Sequence, residues 1–123
     1  QGLLILVCAM ADDNEIEAEK MASKISKIRI FNDENGKMNK SIKDINGEAL
    51  IVSQFTLAAD TSRGNRPGFS YAAHPEKGEK LYQYFTKQLQ DIDINCKMGV
   101  FGGDMEVSLI NDGPTTIWLD NKD

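Results

Sequence analysis

Seven consecutive apolar residues, Leu3 to Ala9, open this chain and constrain its fold more than any other feature. The run is far too short to span a membrane. It is the right length for a strand buried in a sheet. A strand of this kind needs cover, and the next segment offers it. Ile16, Met21, Ile25 and Ile28 recur at roughly helical spacing with Glu and Lys between them, and Asp12 or Asp13 is placed to cap the helix.

Alternating order continues along the chain. Asn32 to Lys40 is a turn region rich in Asn and Gly. Ser41 to Asn46 alternates Ile with polar residues, as a half-buried strand does, and Asn46-Gly47 is a hairpin signal. Glu48 to Leu57 forms the next strand. Pro75 opens a second helix, with Leu81, Tyr82, Phe85 and Leu89 as its apolar face. Ile92 to Met98, Met105 to Ile110 and Thr115 to Leu119 read as strands separated by glycine-rich turns. The pattern predicts a mixed α/β sheet with two helices packed on it. With 123 residues, the chain is expected to be one domain, 1–123.

Composition excludes several classes. The 41% hydrophobic and 27% charged content is that of a soluble globular protein. A net charge of −5 argues against a broad phosphate track along DNA or RNA, and no DNA partner is expected. It permits a small end-on contact, with Lys37, Lys40, Lys43, Arg63 and Arg66 as candidates for a local positive rim. Two cysteines without short spacing and one histidine, His74, make neither a disulfide framework nor a zinc site. The cysteines read as reduced thiols of a cytoplasmic protein, and no metal or cofactor is expected.

Chemistry concentrates in two segments. Ser53-Gln54-Phe55-Thr56 stands where a buried strand ends, and strand ends place side chains and free N–H groups at a sheet rim. The basic, glycine-punctuated loop Arg63-Gly64-Asn65-Arg66-Pro67-Gly68 follows. Near the end of the chain lies Asn111-Asp112-Gly113-Pro114-Thr115-Thr116. X-Pro is the one common place for a cis peptide. That segment is a site that presents fixed carbonyls, or it is a plain turn closing a hairpin. His74, before Pro75, reads as a surface residue rather than the base of a triad. Thr56 is the best side-chain nucleophile, but no base to activate it is visible. Phe101 and Met105 either line a nucleobase pocket or pack around the Gly102-Gly103 turn.

Taken together, Ser53-Gln54-Phe55-Thr56-Leu57, Gly64-Asn65-Arg66-Pro67, Phe101-Gly102-Gly103-Asp104-Met105 and Asn111-Asp112-Gly113-Pro114-Thr115-Thr116 resemble the D-aminoacyl-tRNA deacylases. The resemblance covers nearly the whole chain in order. Thr115 departs from the usual Val and Gly103 from the usual Ala. Family members usually begin with a strand and a hairpin before the strand that starts Gly-Leu-Leu. The resemblance therefore implies a domain without its N-terminal strands and with an exposed sheet edge.

The resemblance further implies a curled, barrel-like sheet with two helices, a homodimer, and hydrolysis of the ester of D-aminoacyl-tRNA and of glycyl-tRNA. The partner is then the aminoacyl-tRNA 3′ end, with no membrane involved. Thr56, Phe55, Gln54 and Ser53 would form the catalytic segment. Gly113, Pro114, Phe101, Met105 and Arg66 would bind substrate. A cis Gly113-Pro114 motif would enter the partner subunit's pocket and reject L-amino acids by steric exclusion. Three readings stay beside this one: a deacylase for another mischarged aminoacyl-tRNA, a nucleic-acid-binding homologue without catalysis, and a truncated, inactive structural subunit of a homodimer.

Overall fold

The computed structural model describes residues 1–122. The elements run β1 (Gly2–Val7), α1 (Glu15–Lys27), β2 (Phe31–Asn32), β3 (Met38–Lys40), β4 (Glu48–Ser53), α2 (Pro75–Asp91) and β5 (Asn95–Met98), with a 3-10 turn over Phe55–Ala58. β1, β4 and β5 form a parallel sheet in the order β1-β4-β5, and β2 and β3 pair as a short antiparallel ribbon. Parallel neighbours need crossovers, and the two helices lie in them, α1 between β1 and β4 and α2 between β4 and β5.

Burial explains the register. Leu3 pairs with Ala49 and Ile5 with Ile51, and these residues share one face with Cys96, which pairs with Ala49. That face packs on Ala22 and Ile25 of α1 and on Tyr82, Phe85 and Leu89 of α2. Ile51 and Leu89 are wholly buried. Truncation of Leu89 to Ala at such a site costs about 2–5 kcal/mol.

The mixed α/β class and the two helices are as the sequence predicts, but no barrel closes among the described residues. The segments Met105 to Ile110 and Thr115 to Leu119, expected as strands, form no strand there. Val107, Leu109, Ile110, Ile117 and Trp118 remain exposed. Their apolar pattern suits a sheet face, yet a strand also needs a neighbouring edge to complete its hydrogen bonds. An open cavity of about 1040 Å³, bordered by β1 and by residues 109–113 and 115–121, stands in that place.

Four local expectations are also corrected. Ser41 to Asn46 is a turn rather than a strand: the Ser41 N–H donates to Asp44 Oδ2 at 2.9 Å, and the Asp44 N–H donates to Ser41 Oγ at 3.2 Å. This reciprocal bonding is capping-box chemistry, and it makes the Ile42 and Ile45 spacing of three a helical signal. Asn46, at φ 53°, leads into β4 without a hairpin, since both neighbours of β4 are parallel. The strand over Glu48 to Leu57 stops at Ser53 and tightens into the 3-10 turn. α1 is capped by Asn14, whose N–H donates to Glu17 Oε1 at 2.6 Å, while Asp13 accepts from Met10 N and from Asn121 Nδ2. Ile16 consequently faces solvent, and Ala18, Met21, Ala22 and Ile25 take the inner stripe.

Candidate active site

The site begins where β4 runs out. The Gln54 N–H donates to Val7 O at 2.8 Å, the last rung shared with β1, and the chain then turns. Leu57 N bonds to Gln54 O and Ala59 N to Thr56 O. The first N–H groups of a 3-10 turn have no acceptor inside it. Those of Phe55 and Thr56 occupy that position, and no loop carbonyl among the described residues takes them up. Two free backbone donors thus sit side by side at the carboxyl end of a parallel sheet.

Side chains around them carry little titratable chemistry. Gln54 Nε2 donates to Thr56 Oγ1 at 2.5 Å. The Phe55 ring meets Phe69 edge-on with centroids 4.9 Å apart. Cys8 lies close below, with Sγ 3.8 Å from Phe55 O. Burial first, and then the Asp13 carboxylate, pushes the Cys8 thiol above its ordinary range, so it rests as a protonated thiol. His74 is an exposed residue at the start of α2. Among the described residues, no three His, Cys, Asp or Glu side chains are grouped to hold a metal ion.

A second wall comes from α2 and the turn after β5. The Tyr82 hydroxyl donates to Ile51 O at 2.8 Å and lies 3.2 Å from Gly99 O. The Gly99 N–H reaches the same Ile51 carbonyl at 2.9 Å. Phe101 lies 5.9 Å from the Tyr82 ring, over Gly78. Met105 folds back so that its Sδ accepts from Val100 N at 3.4 Å.

The third element is the turn around Gly113. Asn111 frames it: Oδ1 accepts from Thr115 N at 2.9 Å, and Nδ2 donates to Thr116 Oγ1 at 2.9 Å. The Gly113-Pro114 peptide is cis. Gly113 has φ +132°, and a Cβ there would stand 2.6 Å from Thr115 Oγ1. Only glycine suits that backbone.

Of the residues singled out from sequence, Ser53, Phe55, Phe101 and Gly113 border one cavity. Gln54, Thr56, Met105, Pro114 and Arg66 are not among its lining residues. Gln54 and Thr56 bond each other on the exposed side of the turn, and Arg66 sits in the loop beyond. Sequence reasoning passed over Asn111 as a framing side chain and Tyr82 as the residue that ties α2, β4 and Gly99 together. The fixed offsets from Asn111 to Thr115 and Thr116 were the available signal for the first.

Comparison with known proteins decides the family. The model of the family described as D-Tyr-tRNA(Tyr) deacylase matches residues 1–120. The chain belongs to this deacylase family. A D-aminoacyl-tRNA deacylase of Jannaschia sp. is 62% identical over 121 residues, covering 98% of this chain and 82% of the relative. That of Ruegeria pomeroyi is 60% identical over 119 residues, covering 97% and 82%. A solved structure described as c-Myc DNA Unwinding Element Binding Protein superposes with a TM-score of 0.90 at 40% identity, covering 98% of this chain and 82% of that one. No helix among the described residues is long and apolar enough to cross a membrane.

Proposed function

We propose that this chain is a D-aminoacyl-tRNA deacylase, hydrolysing the ester that links a D-amino acid, or glycine, to the 3′ end of tRNA. The observation that carries this reading is the family match across residues 1–120, with relatives about 60% identical that bear the deacylase name. Site chemistry agrees. Ester hydrolysis needs an attacking oxygen, donors for the oxyanion and a grip on the substrate.

The Phe55 and Thr56 N–H groups are the oxyanion donors. Thr56 positions rather than attacks, since its side-chain partner among the described residues is an amide. Gln54 holds that hydroxyl, and Ser53 closes the strand end beneath it. Activation of water falls to the terminal ribose 2′-hydroxyl of the tRNA. Water adds to the ester carbonyl, the carbonyl–O3′ bond breaks, and the 3′-oxygen leaves with a proton. The products are the free amino acid and tRNA. Phe101 and Met105 receive the terminal adenosine, and Arg66 contacts the RNA. The carbonyls of Gly113 and Pro114 hold the α-ammonium and leave no room for an L side chain.

A homodimer completes the site in this proposal. The exposed apolar residues of the C-terminal segment, Leu109, Ile117 and Trp118 among them, support a second copy as their cover. Each copy would then bring its Gly113-Pro114 turn to the other's pocket. The cytoplasm, where charged tRNA is found, is the expected compartment.

A non-catalytic nucleic-acid-binding role is the second reading, favoured by the name of the structural neighbour. Multiple-turnover release of a D-amino acid from charged tRNA separates the two. Release of many equivalents per chain is expected. Tight tRNA binding without release would move the assignment to the second reading.

A further inference from the structure

Between Asp60 and Glu76 the chain carries no acidic residue, although the protein as a whole has a net charge of −5. Arg63 and Arg66 stand within that stretch, and both are exposed. Neither forms an ion pair among the described residues, where the pairs are Lys80–Glu76, Lys87–Asp91 and Lys122–Asp12. The carboxylate at the head of this stretch is already engaged: Asp60 Oδ1 accepts from Ser62 N at 2.9 Å and from Ser62 Oγ at 2.6 Å. Two guanidinium groups are therefore left without an anion in a protein that has anions to spare.

The loop that carries them is held at both ends. Asp60 and Gly68 exchange backbone hydrogen bonds of 2.7 and 2.9 Å. Phe69, the next residue, packs its ring against Phe55 at the oxyanion turn. The ends of the loop are thus fixed before a ligand arrives, which lowers the ordering cost of binding. Guanidinium groups bind phosphate oxygens in a planar, two-point fashion.

We propose that the loop from Asp60 to Gly68 is a preformed phosphate contact for RNA, with Arg63 and Arg66 gripping the backbone next to the 3′ end whose ester lies at Phe55. This inference rests on the deacylase reading for the identity of the RNA. It adds Arg63 to the binding surface and makes the contact electrostatic and independent of base sequence. Net acidity elsewhere confines the RNA to this rim and disfavours approach from other sides.

Two measurements test it. The first is binding of uncharged tRNA, by fluorescence anisotropy, from about 50 to about 200 mM salt. Each lost phosphate contact removes about 0.7–0.9 from the slope of log affinity against log salt. Arg63→Gln should lower the slope by that amount. Arg63→Gln with Arg66→Gln should lower it by about twice as much and weaken binding about tenfold at the lower salt. Arg63→Lys should restore most of the slope. An unchanged slope would overturn the proposal.

The second compares two esters, D-aminoacyl-tRNA and D-aminoacyl-adenosine, which has no acceptor-stem phosphates. Arg63→Gln should lose kcat/KM on the tRNA ester in proportion to its weakened binding, with a far smaller loss on the adenosine ester. Equal losses on both would make the loop a support of the site and sink the phosphate contact. If the wild type cleaved neither ester, the deacylase reading would fail, and the salt slope would still decide the loop.

Discussion

Gln54 Nε2 donates to Thr56 Oγ1 at 2.5 Å, and the proposed positioning role of the threonine rests on this contact. An amide side chain cannot take a proton from a hydroxyl, so the side-chain partner that Thr56 has among the described residues supports orientation rather than activation. Thr56→Ala should accordingly retain deacylation within about tenfold of wild type, because an unactivated hydroxyl is a poor nucleophile. Single-turnover assays read this directly. An acyl-enzyme trapped on Thr56 would refute it.

If the ribose activates the water, chemistry fails without the 2′-hydroxyl. A D-aminoacyl-tRNA ending in 2′-deoxyadenosine should bind with near-normal affinity and hydrolyse at least about a hundredfold more slowly, the scale of a lost general base. Equal cleavage of the deoxy and ribo substrates would return the activating role to the protein.

Tyr82 joins three elements through one hydroxyl, meeting Ile51 O at 2.8 Å and Gly99 O at 3.2 Å. Tyr82→Phe removes that donor without emptying the core. Ile51 O keeps the Gly99 N–H, so the loss should be about 1 kcal/mol, that of an ordinary hydrogen bond. Urea unfolding measures it. KM should rise more than kcat falls, because the Gly99-to-Met105 turn carries Phe101. A loss confined to stability would show that the turn does not depend on Tyr82.

Gly113 tests the third wall. Alanine there must adopt φ near +132° with its Cβ 2.6 Å from Thr115 Oγ1, so the turn framed by Asn111 must shift. Such backbone strain costs on the order of 1–3 kcal/mol. The position is exposed, so global unfolding should change little while D-aminoacyl-tRNA hydrolysis falls by tenfold or about that. Rejection of L-aminoacyl-tRNA should weaken with it. A Gly113→Ala protein with wild-type rate and selectivity would remove this turn from the site.

The loop at Asp60 has a pH signature. Hydrogen bonds from the Ser62 hydroxyl and then the Ser62 N–H hold the Asp60 carboxyl below the ordinary carboxylate range. A depressed folded-state value means that the stabilisation is present above the unfolded value, about 3.9, and is lost as pH falls through the folded one. The Ser62 amide resonance should therefore titrate below about pH 3.9. A midpoint at or above that value would contradict the closed loop.

Local pattern made some of this legible and long-range contact hid the rest. The run Leu3 to Ala9, Pro75 at a helix start and the Leu81, Tyr82, Phe85, Leu89 stripe all declare themselves within one element, and the structure places β1 and α2 there. Ser53 to Thr56 was recognisable as a strand end. Ser41 to Asn46 misled because Ile42 and Ile45 fit a period of two only loosely, while the Ser41–Asp44 exchange fits a turn. Met105 to Ile110 and Thr115 to Leu119 carry strand-like residues, but a strand exists only where an edge receives it. The Tyr82 hydroxyl on Ile51 O and the Phe69 ring on Phe55 join residues far apart in sequence, and no spacing announces them.

The central claim is chirality-selective ester hydrolysis, and one measurement addresses it most directly. The same tRNA is charged with the D- and the L-form of one amino acid, and deacylation of each is followed in parallel with the purified protein. The D-ester should be cleaved many times per chain and the L-ester should stay at the rate of spontaneous hydrolysis. Equal cleavage of the two, or spontaneous rates for both, would contradict the account.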